Sequence, residues 1–432
     1  MVIESSKIYL KIVCRDGNIH PFHDEPIAAF VYDYDTNKIN YFNFSHPDKS
    51  KDCTFSQFKK LLKVDKIFVN NKKRYKYYLD VENLYDVNLF SFIDTGDILE
   101  FKTDFCTTHL RMKHHGINQF NLIVPYVTHQ KEFDKEVDVI CDIDDDLIDS
   151  YCFKFFNTVA SDTLFQIEKN GLSVDKDIFR KYFDSKVTKG MVHTEYSIYN
   201  PTGRPSNKFD NVNYVALNKE NGCRESFKSR YDGGQLLMVD FTGFHPYLVA
   251  RLIQYKVPDD ETIYEHLAKQ YYNIDNVDDA IMAKSKKLTM VNLYGQINES
   301  YLNIQYFQKV EELKESYWTD FINNGYVTTP IYKRKINKNH IIDPNKNKLF
   351  AYIIQATETE YGLNALNNVI KYVKGKDITP ILYVYDSIVF DIKNCNIEDS
   401  DIQDIINIIR SNRFKVKVYI GNNYNELKLV DL

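Results

Sequence analysis

No stretch of about 18 consecutive apolar residues occurs in this 432-residue chain, which argues against a membrane-spanning helix. The first residues, MVIESSKIYLK, lack the charged-then-apolar layout of a secretory leader, so a cytoplasmic location is expected. Cysteine is sparse: Cys14, Cys53, Cys106, Cys141, Cys152, Cys223 and Cys395 are scattered, and no two form a C-x-x-C pair. That spacing points away from a disulfide framework and a zinc site, and leaves the thiols reduced and structural. A surplus of positive charge is missing too. The formal net charge is -5, so the chain does not coat nucleic acid through overall charge, although a local basic groove remains open to it. Neither an internal repeat nor a low-complexity linker is present.

What is present suffices for a large core. With 44% hydrophobic residues over this length, two or three domains are expected. Residues 1–150 alternate strand-like pieces (IYLKIVC, AAFVYDYD, KINYFNF) with turn signals such as DGN and HPDKS, as in an α/β or α+β domain. The acidic run CDIDDDLIDS then leads into SYCFKFFNTVASDTLFQIEKNG, whose apolar spacing is helical and which Gly171 stops. This segment reads as a domain junction. Loops continue to about residue 234, followed by a strand-to-helix corner, a helical stretch to about 325 and a strand pair near 380–392.

Two segments carry an aspartate at the break of an apolar strand. MVDFTGFHPYLVARLI (238–253) turns from strand to helix just after Asp240, and ITPILYVYDSIVFDI (378–392) is interrupted at Asp386. A carboxylate within so apolar a strand is costly unless a cation receives it. Two such groups suit a two-metal phosphoryl-transfer site, in which divalent ions sit about 3.5–4 Å apart and hard Mg²⁺ takes carboxylate oxygen. Either aspartate alone is more often a turn residue. Between them, AKSKKLTMVNLYGQI (283–297) puts Lys286, Met290 and Tyr294 at i, i+4 and i+8, on nearly one helical face, with Gly295 at the helix end. Such a face suits a triphosphate and a stacked base. An ordinary amphipathic helix with solvated lysines is the alternative.

In order and spacing these three segments resemble the family A, polymerase I-like DNA polymerases, of the phage type. NPTGRPSNKFDNVNYV, GCRESFKSRYDGGQLLMVDF, YEHLA, NNGYVTTPIYKRK and IIQATETEYGLNAL are similar to further stretches of that family, and the resemblance runs over residues 165–432. It implies a right-hand fold with a reduced thumb (165–200), a palm (201–245 and 350–432) and fingers (246–349). It further implies that a primer 3'-hydroxyl attacks the α-phosphate of a nucleotide. Asp240, Asp386 and the Phe241 carbonyl would hold two Mg²⁺, with Mn²⁺ as a substitute. Lys286 would neutralise the triphosphate and protonate pyrophosphate. Nucleotide contacts fall to Gly243, His245, Lys286, Lys287, Met290 and Tyr294. Nucleic-acid contacts fall to Arg204, Arg224, Lys333, Arg334, Gln355 and Tyr385. The implied partners are primer-template DNA, dNTPs or rNTPs and a processivity partner, with no membrane.

Four departures from the family pattern stand out. His245 takes the place of the glutamate that crowds a ribose 2'-hydroxyl, either as a looser gate or as a hydrogen-bond partner for that hydroxyl. Gly243, Met290 and Ser387 are similar to residues of single-subunit RNA polymerases. Met282 stands where a triphosphate-binding arginine is usual, with Lys284 and Lys287 as substitutes. The segment 176–199 is short where the family inserts a helical thumb, so little duplex would be gripped.

The N-terminal domain resembles a degenerate RNase H-like exonuclease: the expected acids fall on Ile12, Cys14 and Tyr75, and acid remains only at 144–146. No proofreading is expected of it, and an unrelated α/β domain is the alternative. KKRYKYYL reads as a solvated basic helix, with single-strand contact as its alternative. His109, His114 and His115 read as surface residues. Two other functions stay open: an rNTP-using, primase-like or transcribing polymerase, and a non-catalytic nucleic-acid-binding replication protein.

Overall fold

The 12-residue strand β1 (Ile3–Cys14) buries Ile8, Tyr9 and Leu10 in succession, so both of its faces are covered. The structure, a computed structural model, describes residues 3–17, 19–99, 123–141, 145–207, 212–394, 398–410 and 414–430. The histidines at 109, 114 and 115, Asp144 and the Asn211 end of the NVNYV motif lie outside these residues. β1 joins β2 (Pro26–Asp33), β3 (Lys38–Asn43), β4 (Leu62–Val69) and β5 (Leu84–Asp86) in a sheet of order β3-β2-β1-β4-β5. The β1-β2 and β2-β3 pairs are antiparallel, and the β1-β4 and β4-β5 pairs are parallel.

Ile8, Leu10, Ala29, Val31 and Ile67 turn to one face and pack with Phe58 of helix α1 (Phe55–Leu61), which a Thr54/Gln57 capping box starts. On the other face the Tyr9 ring stacks on Phe133 at 5.6 Å, from the 15-residue helix α3 (Tyr126–Ile140). Helix α2 (Val87–Asp94) carries Phe90 and Phe92, on which Phe153 and Phe156 pack at 4.4 and 5.9 Å. These contacts draw the segment after residue 150 into the first unit. The chain accordingly divides into compact units at 165 and 166, later than the sequence junction at 150.

KKRYKYYL is not a solvated helix. Lys72 is 1% exposed, donates to the Asn157 carbonyl at 2.6 Å and pairs with Asp162 at 3.1 Å. The positions where the exonuclease pattern expects acids hold uncharged groups packed together: the Tyr75 hydroxyl accepts the Ile12 N–H at 3.0 Å. Burial pushes the Cys14 thiol up to about 11, and Tyr78 hydrogen-bonds to it.

In the second unit an antiparallel sheet runs β7-β8-β6-β9-β10. The strands are β6 (Gln235–Phe241), β7 (Ile378–Val384), β8 (Ser387–Ile392), β9 (Val416–Gly421) and β10 (Lys428–Val430). Helices α4 (Phe244–Leu252), α5 (Ile263–Tyr272), α6 (Asp279–Tyr294) and α7 (Gln305–Asn324) share a core of Val249, Leu267, Leu293, Phe307 and Val310. The Lys314 ammonium of α7, fully buried, donates to the Asn292 and Gly295 carbonyls at 3.3 and 2.9 Å, which satisfies the end of α6. The 27-residue helix α8 (Lys346–Tyr372) is buried on most of its surface, with Thr357, Glu358, Thr359 and Glu360 among its buried residues, and α9 (Ser400–Arg410) buries four isoleucines. Among the described residues no helix is long and apolar enough to cross a membrane, and Cys14, Cys53, Cys141, Cys152 and Cys223 are free thiols.

α8 approaches β7 closely at Gly362. A Cβ built there would lie 2.1 Å from the Tyr383 hydroxyl oxygen, while the ring carbons are at 3.1 Å or more. That hydroxyl is buried and has no hydrogen-bond partner. Gly362→Ala should therefore destabilise the protein by about 1–3 kcal/mol. Tyr383→Phe, by removing an unpaired buried hydroxyl, should be neutral or stabilising and should recover most of the loss in the double variant. Urea unfolding of the four proteins checks this, and additive effects would exclude the contact.

Candidate active site

Register brings the two aspartates together. Asp240 lies opposite Ser387 of β8 and, on the other side, opposite Lys417 of β9. Val384 pairs with Ser387, so Tyr385 and Asp386 form a two-residue hairpin turn. Asp386 is thus a turn residue and not a mid-strand one. The Phe241 N–H donates to the Asp386 carbonyl at 2.9 Å and fastens the turn to the end of β6. Tyr385 adopts a left-handed φ of 55°, uncommon for a side-chain-bearing residue, and the Arg204 guanidinium lies 3.9 Å over its ring.

After β6 the chain turns into α4 through Gly243, whose φ is 61°. A Cβ there would also meet Ile263 and Tyr264 at 3.2 Å, so glycine is required twice over. The corner opens on a cavity of about 360 Å³ that Asp240, Asp386, Lys286, Met290, His245 and Gly243 border. Phe241 and Met282 line it too, as does Thr242, whose buried hydroxyl has no hydrogen-bond partner.

Burial, then the neighbouring Asp386, pushes the Asp240 carboxyl up to about 7, against the pull of Lys286 and Lys417. Asp386 is raised as well, first by burial and then by Glu358, while Arg204 and His245 oppose the rise. Two half-buried acids held this way favour a bound positive charge, a proton at low pH or a divalent cation once both are ionised. Among the described residues no group of three or more His, Cys, Asp or Glu forms a metal cage. Two carboxylates fit Mg²⁺ nonetheless, because that ion keeps several waters and takes substrate phosphate oxygens.

Behind the cavity a chain of polar contacts links the helices. The Tyr294 hydroxyl hydrogen-bonds to His245 Nδ1. His245 Nε2 meets Glu358 Oε2 at 2.9 Å, and Glu358 Oε1 accepts from Arg204 at 2.9 Å. Tyr294 therefore reaches the site through His245 and does not border the cavity. Lys286 is exposed and borders it, whereas Lys287 and Lys284 are exposed on the same helix away from its lining.

The expected nucleic-acid contacts scatter. Arg334 is 1% exposed and donates to the Pro201 carbonyl at 2.9 Å, so it shapes the Thr202–Gly203 loop from inside. Arg224 is half-buried, with Nε and Nη2 on the Leu217 carbonyl at 3.0 and 2.7 Å. Both are engaged by backbone carbonyls within the protein, and the burial of Arg334 turns it away from the surface where a nucleic-acid backbone would lie. Lys333 is exposed, and Gln355 is half-buried on α8. Glu358, Lys417 and Tyr264 were not foreseen. Glu358 had a signal, an acid within a long apolar helix; Lys417 had none, because strand pairing alone sets it beside Asp240.

The polymerase domain of Pol1 from M. smegmatis, solved in complex with DNA primer-template and dNTP, is similar to this chain with a TM-score of 0.68 at 13% identity. The match covers 98% of this chain and 96% of that one. No family model matches the sequence, and no curated protein matches it. The chain therefore has the mixed α/β fold of a DNA polymerase domain.

An acid raised on folding contributes its stability fully below its unfolded value, here 3.8, and loses it as pH rises through about 7. At pH 8 without divalent ions, Asp240→Asn should therefore raise Tm. Mg²⁺ should raise the Tm of the wild type and move the variant little. Equal responses to Mg²⁺ would exclude Asp240 as a ligand.

Proposed function

We propose that this chain is a template-directed nucleotidyltransferase, a DNA polymerase that extends a primer 3'-hydroxyl from dNTPs. The observation that carries the reading is the convergence of Asp240 and Asp386 on one cavity with Lys286, on the fold of a polymerase domain. Asp240 and Asp386, with the Phe241 carbonyl, would hold Mg²⁺, which when bound lowers the barrier by neutralising charge around the reacting phosphate. Lys286, exposed at the cavity, binds the triphosphate and gives a proton to the departing pyrophosphate as the 3'-oxygen, its own proton released to water, bonds to the α-phosphorus and the bond from that phosphorus to the bridging oxygen breaks. Met290 and Tyr264 border the nucleotide. His245 stands beside its sugar, where the family's glutamate would be.

The same reading makes the first unit an exonuclease-derived domain that no longer proofreads, in keeping with its mixed sheet and with the uncharged cluster of Ile12, Cys14, Tyr75 and Tyr78. Between Gly171 and Tyr199 the described elements are the helix Lys176–Phe179 and short strands. That supports a reduced thumb, low processivity and a partner that clamps DNA.

An rNTP-using enzyme is the second reading, favoured by His245 in place of an acid. Two of its other signs have structural reasons: Gly243 serves the corner, and the Ser387 hydroxyl donates to the Val384 carbonyl at 3.2 Å. A non-catalytic role is disfavoured by retention of both aspartates and Lys286.

Primer extension with matched dNTPs and rNTPs, with and without primer, tests the proposal. Extension should require a primer, prefer dNTPs but exclude rNTPs less strictly than a glutamate gate does, and fall at least about a thousandfold in Asp386→Ala. A 3'-mismatched primer should not be shortened. Undiminished extension by Asp386→Ala would remove the mechanism.

A further inference from the structure

Among the described residues Glu358 is the carboxylate in contact with both His245 and Arg204, and it is 1% exposed on the buried helix α8. A carboxylate can only accept, so the His245 ring must carry its proton on Nε2. In the neutral ring Nδ1 is then the acceptor for the Tyr294 hydroxyl. Both polar atoms of the ring are therefore engaged inside the protein, one by the palm-side helix and one by α6. The ring has no free donor or acceptor left for a substrate hydroxyl. We infer that Glu358 is a specificity-determining positioning residue: it locks the His245 imidazole between itself and Tyr294, so that His245 acts on the incoming sugar as a fixed wall and not as a hydrogen-bond partner of a 2'-hydroxyl.

The second arm of Glu358 extends the lock. Arg204 lies between Glu358 and the Tyr385 ring, next to Asp386 in the hairpin turn. One side chain thereby holds the wall and braces the turn that carries a proposed metal ligand. The inference rests on the reading that His245 borders the nucleotide sugar, and it adds a residue that does not line the cavity.

Steady-state kcat/KM for a dNTP and its matching rNTP on one primer-template, measured for wild type, Glu358→Gln, His245→Ala and the double variant, tests it. Glutamine can accept from Arg204 and still meet His245 only by turning its NH₂ to Nε2, which moves the ring proton to Nδ1 and replaces a charge-assisted contact with a neutral one. Glu358→Gln should lower the dNTP-to-rNTP ratio about tenfold, chiefly through a smaller KM for the rNTP, as expected for loss of one charge-assisted hydrogen bond. In the His245→Ala background the same change should have no further effect on the ratio. An unchanged ratio in Glu358→Gln, or equal effects in both backgrounds, overturns the inference while leaving the polymerase reading intact. No incorporation by the wild type removes that reading, and the inference with it. Ring ¹⁵N resonances of His245 in the full-length wild type, assigned by their loss in His245→Ala, give a readout independent of turnover and of the stability of the Glu358 variant. A proton on Nε2, with or without one on Nδ1, supports the lock, and a ring protonated on Nδ1 alone overturns it.

Discussion

Two like charges forced together at the end of one strand are the constraint around which the second unit is arranged. Burial is the first cause that raises both carboxyls; the Asp386 charge adds to it at Asp240, and the Glu358 charge adds to it at Asp386. The arrangement persists because it is over-determined: the central place of β6 in its sheet sets Asp240, the two-residue turn sets Asp386, and the Phe241 to Asp386 backbone bond ties one to the other.

Helix α8 supplies much of the rigidity. Its neighbours Glu358 and Glu360 are each 1% exposed, and each faces an arginine of another segment. Glu358 takes Arg204 directly. Glu360 accepts from the Thr329 hydroxyl at 2.6 Å, and burial pushes its carboxyl up to about 7 against the pull of Arg334. Arg334 in turn holds the Pro201 carbonyl. The loop from Asn200 to Arg204 is thus gripped near both ends by cations whose own partners are buried acids. Removing Glu358 would take from Arg204 its ion-pair partner, and removing Glu360 would take from the Thr329 hydroxyl its acceptor.

Much of the site was legible because the relevant signals are local. A strand that stops at an acid and turns through glycine into an apolar-periodic helix can be read from residues 238–253, and so can the shared face of Lys286 and Met290. The misreadings have one cause: a cation in a sequence looks solvated. Arg334, Arg224 and Lys72 are paired in the interior by carbonyls and carboxylates contributed from elsewhere in the chain. Glu358 passed unremarked for the same reason, since a buried charge is affordable only once its partners are known.

The sequence by itself determined the elements, their order, and the residue types able to bind metal and phosphate, because periodicity, turn chemistry and side-chain donors are properties of short segments. Tertiary structure alone decided which of those groups meet. The pairing of Asp240 with Lys417, the closing of Tyr294 onto His245 and the anchoring of His245 and Arg204 by Glu358 join residues between 49 and 177 positions apart. Strand register and helix packing set such distances, and both are settled by the whole core at once.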